Sequence, residues 1–156
     1  MMPFAILAIL FLGYALAFRR FVPAKTRAAY KASCEKDLSG LTVHLIWIAA
    51  IAQLLIAPST PVLIMQVVGF WIVVSGNALT IGAIRENPWF SATIQNPPYV
   101  VRGDVYKLRH PSYIGMACAA FGYFLLLGQA WAVVPTSIYL GMLLYRVRLE
   151  NKLLYR

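Results

Sequence analysis

Residues 111–145 read PSYIGMACAAFGYFLLL, then GQA, then WAVVPTSIYLGMLLY, two apolar runs joined by Gly128-Gln129-Ala130 with no Asp, Glu, Lys or Arg in the whole stretch. Pro111 suits the first position of a helix, because its ring presets φ and the N–H it lacks would have had no helical partner there. The pattern predicts a tight helical hairpin, with segment four over Pro111–Leu127 and segment five over Trp131–Tyr145. At about 1.5 Å per residue each arm reaches roughly 23 to 26 Å, slightly less than the hydrocarbon core of a bilayer.

Similar apolar runs lie upstream. Segment one spans about Pro3–Phe18, segment two about Leu41–Ala57 and segment three about Val62–Ile84. Pro58-Ser59-Thr60-Pro61 between the second and third is an uncharged turn whose two prolines stop helix propagation. Segment one lacks a basic start and a clear small-residue cleavage site and is followed by Arg19 and Arg20, so it reads as a retained helix rather than a signal peptide. Segment three carries Gly69, Ser75, Gly76, Asn77, Thr80 and Gly82, residues suited to close helix contact. Asn77 and Thr80 could instead line a ligand cavity, and periodicity alone does not choose between the two.

Between the spans lie the charges. Arg19, Arg20, Lys25, Arg27, Lys31 and Lys36 occupy the first loop, Arg85, Arg102, Lys107 and Arg109 the region before segment four, and Arg146, Arg148, Lys152 and Arg156 the tail. That is every one of the 14 Lys and Arg, and the acids Glu35, Asp37, Glu86, Asp104 and Glu150 fall in the same three places. By the positive-inside bias these loops face the cytoplasm, which an odd number of spans with the amino terminus outside achieves. With 61% hydrophobic and 12% charged residues the chain is far from a soluble balance. The expectation is an all-α polytopic membrane protein of five helices. It is a single domain over residues 1–156, with three spans in 1–84, an interfacial loop in 85–110, the hairpin in 111–145 and a tail helix in 146–156. The net charge of +9 sits in loops between spans and not along one face of a packed fold, which argues against nucleic acid. Cys34 and Cys118 have neither a metal-ligand spacing nor an obvious bridge, so no metal is expected.

Transporters usually mark a pathway with ionisable groups inside their spans, and here only His44, near the start of segment two, comes close. The polar side chains concentrate instead at one interface: Tyr106, Arg109, His110, Ser112 and Tyr113 at the mouth of segment four, with Arg146 and Glu150 at the exit of segment five. The hairpin brings these together. Taken singly, Arg109 and His110 could be interfacial anchors, and Arg146 with Glu150, four residues apart, could be a surface pair worth a few tenths of a kcal/mol. Gly115, Ala119 and Gly122 could serve close packing against segment five.

The run Gly103-Asp-Val-Tyr106-Lys-Leu-Arg109-His110-Pro111-Ser-Tyr113-Ile-Gly115 resembles the signature of the isoprenylcysteine carboxyl methyltransferase and phospholipid methyltransferase superfamily. The resemblance covers about the last 70 residues and continues to Arg146, Glu150 and Leu154, with Asn151 where the family has a second acid. Pro98 also stands where many relatives have His, and an aromatic extension of the tail is missing. The resemblance implies S-adenosylmethionine as cofactor and methylation of a lipid-borne acceptor such as an isoprenylcysteine-like carboxylate, or else a phospholipid amine or a small thiol. It implies cofactor binding by Tyr106, His110, Pro111, Tyr113, Gly115 and Glu150, and acceptor orientation or catalysis by Arg109, Arg146 and Glu150. Membrane lipids and a lipidated substrate are the expected partners. The expected place is a bacterial or archaeal inner membrane, or the endoplasmic reticulum, with the site and carboxyl terminus cytoplasmic. An NADPH-dependent reductase of the steroid 5-alpha reductase type shares the Arg-His-Pro element, and a non-catalytic membrane scaffold is a further alternative.

Overall fold

The computed structural model describes residues 2–33, 63–87, 90, 101, 103–128 and 130–154. Among these every regular element is helical: α1 Met2–Phe21, α2 Ala24–Ser33, α3 Leu63–Glu86, α4 Pro111–Leu127 and α5 Val133–Leu154, with 3-10 turns at Val105–Lys107 and Ala130–Ala132. Segment two and its following Pro-Ser-Thr-Pro turn lie outside the described residues, as do Pro88, Trp89 and 91–100 of the loop.

Local chemistry sets the ends of α4. Pro111 is its first residue, and Gly128 closes it in the left-handed conformation at φ 60°, where only glycine enters without a side-chain penalty. The Gly128 N–H donates to the Phe124 carbonyl at 3.2 Å, capturing one orphan acceptor of the last turn. After the Ala130–Ala132 turn the chain enters α5, which runs without a break from Val133 through the charged segment to Leu154. The tail continues the second arm of the hairpin as one rod, because residues 140–154 contain neither Pro nor Gly beyond Gly141 to interrupt the ladder.

The most extensive packing is between α3 and α4, far exceeding that between α4 and α5. Two glycine pairs explain it. A methyl group on Gly69 would lie 2.8 Å from the Gly122 carbonyl oxygen, and one on Gly76 would lie 2.6 Å from that of Gly115. As the number rises on one helix it falls on the other, so the helices run antiparallel with backbones in contact. This corrects the expectation that Gly115, Ala119 and Gly122 seat segment five: they seat segment three. In lipid, where apolar side chains gain nothing by leaving solvent, such backbone approach supplies the dispersion contacts that hold helices together.

The polar residues of α3 are used within the same pair. Thr80 Oγ1 donates to the Gly76 carbonyl at 2.9 Å and reaches the Ser112 carbonyl at 3.4 Å, while the Asn77 side chain bonds the Tyr123 hydroxyl. Of the two readings left open by periodicity, these bonds favour packing. One apolar cluster joins Leu10, Val73, Leu126, Leu127 and Ala132, and a second joins Val22, Ile81 and Ile84 with Tyr14, Phe18 and Phe90.

Large apolar side chains also point outward, among them Leu63, Ile64 and Trp71 on α3, Leu12 and Leu16 on α1, and Val133, Val134 and Ile138 on α5. Among the described residues α3 is the one helix long and apolar enough to cross a membrane, and only 33% of its most apolar window is buried inside the protein. A core helix of a water-soluble domain would be covered by its neighbours.

Candidate active site at the mouth of α4 and α5

The loop before α4 is clamped to the end of α3. Tyr106 donates its hydroxyl to the Ala83 carbonyl at 3.1 Å and also bonds the Asn87 side chain, while Gly103 leaves room for the Glu86 carboxylate, which a Cβ there would strike. Burial pushes the Tyr106 phenol up to about 12, with the carboxylates of Glu150 and Glu86 adding to the rise. It therefore remains a donor at every physiological pH. Both the glycine and the tyrosine of the quoted signature thus have a positioning task on α3.

His110 caps α4 with φ 56° and ψ 52°, the single non-glycine residue in the left-handed region among those described. Histidine tolerates this region better than most residues, but a backbone held there costs free energy and concentrates at functional sites. The following Pro111 disfavours the ordinary helical conformation for His110. From this position the imidazole reaches α5, where Nδ1 lies 3.2 Å from Glu150 Oε2 and Nε2 lies 2.9 Å from Asn151 Oδ1.

Within the first turn of α4, Tyr113 donates its hydroxyl to Glu150 Oε1 at 2.5 Å and accepts from Arg146 Nε at 3.3 Å. Glu150 is thereby gripped from both oxygens by two residues of the α4 mouth. Arg146 is 4% exposed, so it is no surface member of a helical ion pair; its guanidinium is buried against α4. The hydrogen bond that His110 donates to Glu150 is the largest influence on the ring and raises its pKa above the ordinary 6.5; Asn151 acts the same way, while burial and Arg109 oppose it.

The fold therefore gathers His110, Tyr113, Arg146 and Glu150 in one cluster, with Tyr106 close enough to feel the Glu150 charge. Arg109 is exposed beside it. Pro111 and Gly115 are buried, Gly115 on the α3 side, where an added Cβ would strike Thr80 Oγ1. Sequence reasoning missed Asn151, taken only as an acid that is lacking. The available signal was its place directly after Glu150 and five residues beyond Arg146, both already assigned to the site.

A carboxylate, an imidazole, a guanidinium and two phenols at the rim of an apolar helical pair can hold a zwitterionic ligand: Glu150 suits an ammonium group, and Arg146 and His110 suit a carboxylate. A family model described as the isoprenylcysteine carboxyl methyltransferase (ICMT) family matches residues 67–156, from the first turns of α3 through α5. The match reaches further upstream than the signature and takes in the glycine seam of α3. Comparison with curated proteins and with solved structures gives no match. The family match covers more than half of the chain, which therefore belongs to the isoprenylcysteine carboxyl methyltransferase family.

Proposed function

We propose, from membership of this methyltransferase family, that the chain is an integral membrane methyltransferase using S-adenosylmethionine on a lipid-borne acceptor, an isoprenylcysteine-like carboxylate. The observation that carries the reading is the junction of His110, Tyr113, Arg146 and Glu150 at one end of the α4–α5 hairpin. The donor set fits the methionyl end of that cofactor, with a carboxylate for its ammonium and cationic donors for its carboxylate. S-adenosylmethionine, when bound, supplies an electrophilic methyl group on a sulfonium that carries its own leaving group.

The protein's own task is then positional. No covalent nucleophile is needed; Glu150, held by two residues of α4, and Arg146, held by Tyr113, keep their charged atoms fixed, and fixed geometry is where the rate advantage of such a transfer lies. Arg109, exposed at the rim, orients an anionic acceptor through paired N–H donors. The outward apolar faces of α1, α3 and α5 support entry of that acceptor from lipid.

The proposed topology has five spans, with the amino terminus outside and the site cytoplasmic, and the described helix ends support placing the charges together on one side. Arg19 and Arg20 end α1, Arg85 and Glu86 end α3, and the antiparallel seam brings that end of α3 to the mouth of α4. Calorimetry of the purified protein in detergent with S-adenosylhomocysteine tests the cofactor; absence of binding at sub-millimolar concentration refutes it. Incubation of membranes with a labelled methyl donor, followed by mass spectrometry of lipids and peptides, tests the acceptor: label in base-labile prenylated material is expected, and label confined to phospholipid amines or small thiols overturns the carboxylate assignment.

A further inference from the structure

The Asn151 side chain does what an acid at that place could not. Glu150, as a carboxylate, only accepts, so the Nδ1 it faces carries a proton in both charge states of His110. The other ring nitrogen, Nε2, faces the Asn151 amide at 2.9 Å. An amide presents either of two faces. Its oxygen accepts from Nε2–H of an imidazolium, and after a half-turn of the amide its N–H donates to the bare Nε2 of a neutral ring. A carboxylate at residue 151 would offer acceptors alone and hold the ring as a cation.

We infer that Asn151 is a positioning residue that keeps His110 seated between itself and Glu150 whether the ring is charged or neutral. His110 and Glu150 have side-chain exposures of 12% and 25%, so most of what surrounds the ring is protein. The groups acting on the ring are Glu150 and Asn151 from α5, Arg109 from the preceding loop and Tyr113 on α4. Glu150 favours the cation and Arg109 opposes it. With the amide in place the ring can gain or lose its proton as the charge of the bound ligand changes, without leaving the site. The functional half of the inference rests on the cofactor reading given above.

The test separates the two. In a His44→Gln background His110 is the one remaining histidine, and isotope-labelled histidine gives its titration midpoint by NMR in detergent without any ligand. Asn151→Asp is expected to raise the midpoint by about one pH unit or more, the usual effect of a contacting opposite charge, and Asn151→Gln to reproduce the parent. S-adenosylhomocysteine binding is then followed across each midpoint. The parent and Asn151→Gln hold their affinity within about threefold, whereas Asn151→Asp loses about tenfold or more above its midpoint, where a bare Nε2 would face a carboxylate. An unchanged midpoint in Asn151→Asp, or Asn151→Gln behaving like it, overturns the inference. If the nucleoside binds at no pH, the cofactor reading fails, and the ligand-free midpoints still decide how Asn151 holds the ring.

Discussion

Tyr113 donates to Glu150 across the hairpin at 2.5 Å, the shortest of the contacts joining α4 to α5 at the site, and the same hydroxyl accepts from Arg146. A neutral donor is thus placed between an acid and a base that sit one helical turn apart. The phenol bonds both side chains at once and so restrains both rotamers. The site is consequently a unit, and removing one member disturbs the rest.

Replacing Glu150 by Gln tests that unit at its centre. It keeps the shape but removes the charge that accepts from both His110 and Tyr113. Hydrogen bonds to a charged partner contribute about 1.5–3 kcal/mol, so S-adenosylhomocysteine affinity should fall roughly ten- to hundredfold, measured by calorimetry. Unchanged affinity would remove Glu150 from the site.

Stability should depend on pH through His110. Its pKa is raised in the folded protein, chiefly by Glu150, so the contact contributes fully below the ordinary value of 6.5. That contribution is lost as pH rises through the folded value. Melting temperature in detergent should therefore decline across that window, and Glu150→Gln should flatten the decline.

The glycine seam gives a paired prediction. Gly115→Ala places a Cβ 2.4 Å from Thr80 Oγ1 and 2.5 Å from the Gly76 carbonyl oxygen, and overpacking of this kind costs about 1–3 kcal/mol. At Gly141 a Cβ meets nothing within 4 Å, so Gly141→Ala should leave stability unchanged or raise it by up to about 1 kcal/mol through helix propensity. Thermal unfolding of both variants checks the contrast. Equal effects would mean that the seam is not where the fold is held.

Tyr106→Phe removes the hydroxyl that holds the loop to the Ala83 carbonyl. A loss of about 1 kcal/mol is expected. Faster amide hydrogen exchange confined to residues 103–110 would locate it, and an unchanged loop would show that the remaining backbone bonds suffice.

These results also mark what the sequence could tell. The ends of α4 were legible because Pro111 and Gly128 act through their own backbones, and the candidate cluster was legible because Arg109 to Gly115 is a compact signature. The partner of α4 was not. A glycine announces that something comes close without saying what, and the adjacent hairpin arm was the natural candidate. The informative pattern was shared spacing: Gly69 and Gly76 on one helix, Gly115 and Gly122 on the other, the same interval on both. The continuity of α5 was legible as well, because a change from apolar to charged residues marks a change of surroundings and not a change of backbone. Asn151 was hidden because its meaning depends on which ring nitrogen it meets.

That continuity has a geometric consequence. Along an unbroken helix from Val133, the Glu150 carboxylate stands at a fixed height, about 25 Å up the rod at about 1.5 Å per residue. With the apolar half of α5 set in lipid, the helix acts as a gauge whose zero is the far turn of the hairpin. The carboxylate cannot be raised or lowered without adding or removing residues of the rod, so its level relative to that turn is written into the length of α5.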